Sequence, residues 1–83
     1  HRAQSAADLA ALAGAARAVA GQTAACARAG EIVAANGARL SHCRLDGLDL
    51  TVTVEVAPPA GAGLHRTALA TARAGPVRAD DSR

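Results

Sequence analysis

The apolar positions of this chain change their period once. Over residues 5–36, Leu9, Leu12, Ala16, Val19, Thr23, Cys26, Gly30 and Val33 recur at three- and four-residue spacing, which predicts one stripe on one long helix. Ala dominates that span and no Pro interrupts it, as a helix of this length requires. Arg17, Arg28 and Glu31 fall on the opposite, solvated side, and "AANG" at 34–37 supplies the stop, with Asn36 or Gly37 taking a left-handed cap. Leu9, Leu12, Ala16, Val19 and Val33 are the expected helix interface. Because most of the stripe is small, a partner can approach the backbone closely. In water that partner is a sheet or another helix, and in a bilayer the same surface favours helix packing.

After Gly37 the period is two. "ARLSHCRL" reads as a strand, and "DG" at Asp46–Gly47 as a hairpin turn. "LDLTVTVEV" then alternates without a fault. Leu48, Leu50, Val52, Val54 and Val56 face the helix, and Asp49, Thr51, Thr53 and Glu55 face water. The hairpin spans 38–57. Pro58 and Pro59 open a loop. Residues 66–74 read as a third strand, because a two-stranded hairpin alone is marginal. A short helix through Leu64, Ala68, Leu69 and Ala72 is the alternative. The expected architecture is α+β: a long N-terminal helix packed on a small antiparallel sheet. It forms one domain over residues 1–79, with a polar tail at 80–83.

Composition makes that core small. The chain has 83 residues with 8 Leu, 6 Val and 1 Ile, and no Phe, Trp, Tyr or Met. At roughly 25 cal/mol per Å² of buried apolar surface, such a core is marginal without a staple. Cys26 lies on the helix stripe and Cys43 shares strand parity with Leu45, so a bridge between them can cross the helix–sheet interface. Such a bridge is worth about 3 kcal/mol in the chain-entropy model and implies an oxidising compartment. Two buried free thiols are the alternative.

Candidate chemistry is sparse. Cys26, Cys43, His42 and His65 match no zinc-ligand spacing, and adjacent His42 and Cys43 point to opposite faces of a strand. Ser5 and Ser41 lack a neighbouring base and orienting group, and no glycine-rich phosphate loop follows a strand. No catalytic activity, metal or cofactor is expected. The net charge is +2, and all nine basic residues are scattered arginines. With no aromatic platform, a dedicated nucleic-acid reader is not expected. Asp8 sits among small apolar residues and has two readings. It completes a capping box with Ser5, or it is a partly buried carboxylate that pairs with Arg66 or Arg73 of the last strand.

The run "RAQSAADLAALAGA" (2–15) resembles the opening of a known family. So does the order that follows it: Cys26, "ANGA" at 35–38, Cys43, "LDLTVTVEV", and "ARAGP" at 72–76. Together they resemble the TadE-like pilus-assembly proteins of actinobacteria, small pseudopilins or minor pilins of tight-adherence (Flp, type IV-related) pilus and secretion loci. The resemblance covers nearly the whole chain, and its most specific parts are the opening run and "ARAGP". It implies a structural role, with other pilus or secretion-system subunits as partners. It also implies an apolar helix upstream of His1 in the cytoplasmic membrane, an extracytoplasmic soluble domain, and incorporation in a cell-surface pilus. On that view the chain, which opens without Met, is a piece of a longer protein. Two other roles stand beside it: a small secreted or periplasmic interaction module, and an Arg-mediated DNA-contacting protein serving DNA uptake.

Overall fold

The computed structural model describes residues 2–57 and 67–76. The helical half of the chain is broken in two. Helix α1 is Arg2–Ala15, a single 3-10 turn covers Ala18–Ala20, and helix α2 is Gln22–Ala35. The expectation of one helix over 5–36 is thereby corrected. The break ends at Gly21, whose φ of 102° and ψ of 173° lie where only glycine sits without strain. Length gives the reason for folding back. A straight helix of 32 residues is roughly 48 Å long, and strands of seven or eight residues span roughly 25 Å. Half of such a helix would have no sheet beneath it. Folded at Gly21, both halves lie on the sheet, and the Arg2 guanidinium returns to donate to the Asn36 carbonyl at the far end of α2 (3.3 Å).

The remaining elements are three strands, β1 Arg39–Asp46, β2 Asp49–Val56 and β3 Ala68–Ala74. They form an antiparallel meander in the order β1-β2-β3. The α+β class is as expected, and the third strand is a strand rather than a helix. The hairpin loop is Gly47–Leu48, one residue later than "DG" suggested, because Asp46 pairs with Asp49. The helices lie side by side, α1 over β2 and β3, and α2 chiefly over β1.

The first strand contains a parity conflict. Leu40 and Cys43 are three residues apart, so a regular strand would point them to opposite faces. The register slips between Leu40 and His42, leaving Ser41 as an extra residue. This bulge puts Leu40 opposite Val54, Cys43 opposite Val52 and Leu45 opposite Leu50, all toward the helices. His42 turns outward opposite Thr53, and the Ser41 hydroxyl donates to the Thr53 carbonyl (3.2 Å).

The helices are inside out relative to the expected stripe. On α1 the buried residues are Ala3, Ala6, Ala7, Ala10, Ala11 and Gly14. Leu9, Leu12 and Val19 are not buried against the sheet, being 51%, 64% and 92% exposed, and Ala16 is exposed as well. Of the five expected interface residues only Val33 is buried, beside Ala25 and Ala29 on α2. The largest fully buried side chains are Leu50, Val52 and Val54 of β2, with Val33. The sheet supplies the bulk, and the helices supply flat alanine faces that settle onto it.

Gly14 marks the tightest point. A Cβ there would collide with the Leu50 side chain, and would lie 2.7 Å from the Ala25 carbonyl oxygen and 3.2 Å from the Ala29 Cβ. The backbone carbonyl cannot move without shifting α2. Gly14→Val is therefore expected to destabilise the fold by about 1–3 kcal/mol through overpacking, read as a lower urea midpoint. The inverted stripe gives a second prediction from a pair of leucines. Leu50→Ala is expected to cost about 2–5 kcal/mol, and Leu12→Ala no more than about 0.5 kcal/mol, both by chemical denaturation. Equal losses would contradict the burial pattern.

Candidate functional site

Four expected site residues have definite places. Cys26 and Cys43 are joined as a disulfide, with their Cα atoms 5.9 Å apart, so α2 is tied covalently to the central part of β1. A free-thiol role and a metal-ligand role are thereby closed to this pair. A second tie joins the same two elements: the Leu45 backbone N–H donates to the Gln22 Oε1 (2.9 Å). Gln22 is the first residue of α2 and Leu45 lies near the end of β1. The helix and strand are thus held at two points, one of which the sequence did not single out.

Asp8 and Arg73 are not paired. Helix α1 is already formed at Arg2, so Ser5 lies inside it and the Ser5–Asp8 capping box does not arise. Asp8 is exposed and accepts a hydrogen bond from Gln4 Nε2 one turn earlier (2.9 Å). Arg73 instead bonds Asp49 on the neighbouring strand, Nη2 to Oδ2, at 3.0 Å. The shift has a simple cause. The inverted stripe carries Asp8 to the solvent side of α1, while Arg73 points to the outer face of the sheet. The other expected partner, Arg66, lies outside the described residues, as does His65.

The outer face of the sheet is polar and mostly satisfied within itself. Arg39 bonds Glu55 across β1 and β2 (2.7 Å), and the Thr53 and Thr71 hydroxyls meet at 3.1 Å. Arg39 and Arg73 are thus neutralised locally. Among the described residues Arg44, opposite Thr51, is the arginine of this face without a carboxylate partner. A polyanion would find little concentrated charge here.

The candidate surface is apolar and lies at one end of the molecule. Leu12, Val19 and Leu48 converge there with Ala74 and Pro76 around an open groove of about 380 Å³. Leu48 was expected inside with the rest of its strand. It occupies the hairpin loop instead and is 47% exposed. Beside this groove a second one runs between α1 and β3, with Asp8, Ala11 and Leu12 on one wall and Ala72, Arg73 and Ala74 on the other, so Asp8 and Arg73 border the same groove without bonding. Scattered single apolar residues are ordinary on a protein surface, but clustered ones mark contact sites. Of the expected interface, Leu9, Leu12, Ala16 and Val19 thus face outward, and Val33 alone faces inward. Among the described residues no helix is long and apolar enough to cross a membrane, and no group of His, Cys, Asp and Glu is arranged to hold a metal.

The covalent tie gives this subsection its prediction. Reducing Cys26–Cys43, or replacing both by Ala, is expected to lower stability by about 3 kcal/mol for a loop of this length. Urea unfolding with and without reductant measures it, and an unchanged midpoint would mean that packing alone holds α2 on β1. No family model, curated protein or solved structure matches this chain.

Proposed function

We propose that this chain is the soluble domain of a structural, minor-pilin or pseudopilin-like component of a tight-adherence pilus or secretion system. It works without catalysis, anchored by an upstream membrane helix and displayed outside the cytoplasm. Support comes first from the resemblance carried by "RAQSAADLAALAGA" and "ARAGP". The single structural observation that carries it furthest is the α2–β1 staple, Cys26–Cys43. A disulfide holding a small core together belongs to an oxidising compartment, where such a domain would operate. The apolar end surface around Leu12, Val19 and Leu48 gives the domain a face for a neighbouring subunit.

The break at Gly21 shapes this reading. In a straight-helix arrangement the whole of residues 5–36 would continue an anchor as one rod. Here only α1 can do so, and its first residues lie beside Asn36 at the end of α2. An anchor continuing α1 would therefore leave the domain at that end, away from the Leu48 groove, which would face outward from the membrane.

The test is the native gene upstream of His1, together with the behaviour of its full product. The expected result is an unbroken apolar run of about 20 residues there. The full-length protein should sediment with membranes, and protease added outside the cytoplasmic membrane should digest the domain. A start codon or polar leader, with protein recovered in the soluble extracytoplasmic fraction, would overturn the anchored reading in favour of a secreted interaction module.

A further inference from the structure

We propose that Asn36–Gly37 is a self-modification site, at which the Asn36 side chain converts to aspartate or isoaspartate, and that the end of α2 gates the reaction. Asn36 is the sole asparagine of the chain, and a glycine follows it. Asparagine amides are labile groups, and glycine is the most permissive residue to follow one, since no Cβ shields its backbone nitrogen. The Gly37 nitrogen attacks Asn36 Cγ and closes a five-membered succinimide ring. The Cγ–Nδ2 bond breaks, and the Gly37 proton leaves with that nitrogen as ammonia. Water then opens the ring. Attack at Cγ gives aspartate, and attack at the backbone carbonyl carbon leaves the chain running through the side chain as isoaspartate. The net change is ammonia exchanged for water, with no oxidant or reductant.

The folded cap holds the site away from this reaction in three ways. Asn36 ends α2 with φ −99° and ψ 12°. Ring closure needs the Gly37 nitrogen swung beside the side chain, and this ψ turns it away. The angle is fixed by a Schellman motif, with Gly37 at φ 70°. Its two bonds run from the Gly37 N–H to the Ala34 carbonyl (3.0 Å) and from the Ala38 N–H to the Val33 carbonyl (3.0 Å). The first of them also holds the proton that must be lost. Next, Asn36 Nδ2 donates to the Ile32 carbonyl (2.8 Å) and keeps the side chain folded back along the helix. Last, Arg2 Nη2 donates to the Asn36 carbonyl (3.3 Å) and holds the peptide that would have to rotate.

These holds are local and their side-chain members are exposed. Helix ends open at a small fraction of the free energy of global unfolding, and Cys26–Cys43 clamps α2 further back along the helix. The last turn can therefore open while the sheet and the disulfide stay intact, and Asn36 is exposed to the water that completes the reaction. The product does not restore the cap. A carboxylate cannot donate to the Ile32 carbonyl, and isoaspartate lengthens the main chain by one atom. The modification is thus an irreversible record of how long the end of α2 has been open. It needs neither an anchor nor a partner, so it stands apart from the pilin-like reading.

The 83-residue chain tests it, incubated folded with its disulfide intact and, at the same pH and temperature, unfolded in guanidinium chloride with reductant. Intact mass follows the exchange of ammonia for water, and peptide mapping places it. The unfolded chain is expected to convert at position 36 at least about tenfold faster than the folded one, because only the open fraction of the folded chain reacts. Arg2→Ala is expected to speed conversion of the folded chain about threefold, the effect of losing one exposed hydrogen bond. Its urea midpoint should not change, which assigns the opening to the end of α2 rather than to global unfolding. Asn36→Gln should remove the mass change. Equal rates in the folded and unfolded chains, an Arg2→Ala rate no faster than that of the unmodified chain, or a mass change that persists in Asn36→Gln would overturn the proposal.

Discussion

A core without a single aromatic ring has to be filled by bringing backbones together, and nearly every feature of this fold follows from that constraint. Ala and Gly on the helices allow α1 and α2 to approach each other and the sheet closely. Leu50, Val52 and Val54 then fill the remaining space from one strand. Close packing of this kind gains dispersion contacts with few large side chains. It also leaves no tolerance, as the crowding around Gly14 makes plain. Ala-faced helices bury little area each, so two helices rather than one are needed to cover three strands.

That arrangement releases the larger residues of α1 from the core. In an ordinary amphipathic helix Leu9 and Leu12 would be the anchors. Here the alanines take the inside, and the leucines join Val19 and Leu48 outside. The domain therefore combines a tight interior of small side chains with an apolar outer surface, while the ion pairs Arg39–Glu55 and Arg73–Asp49 lie on the far face of the sheet. A structural subunit benefits from that division, because the groups available to a neighbour are not the groups that hold the fold.

The strands were readable in the sequence and the helices were not. Alternation in "LDLTVTVEV" leaves one choice of face, since a one-residue slip would turn every valine outward, and β2 follows it from Asp49 to Val56. The disulfide was readable for the same reason, through the parity of Cys43. The parity conflict between Leu40 and Cys43 is the sequence signal of the Ser41 bulge. On the helices, the stripe of Leu and Val at helical spacing predicts a buried face that is mostly exposed. In an alanine-rich helix a second stripe of the same period, Ala3, Ala6, Ala7, Ala10, Ala11 and Gly14, runs alongside it, and periodicity cannot rank the two. Only the close approach of a second helix, permitted by the fold at Gly21, selects the small one. Asp8 lies with the exposed stripe, and its expected partner Arg73 bonds across the sheet instead.

The disulfide also divides the chain mechanically. It closes the segment from Cys26 to Cys43, a sequence separation of 17, which takes in most of α2 and the first half of β1. A pulling force on the chain outside that segment would peel α1 and β3 from the surface while the segment stayed closed. Roughly 60 Å of contour length would remain stored under load, to be released only by a reductant. The domain would then respond to tension as an extensible outer layer around an inextensible clasp.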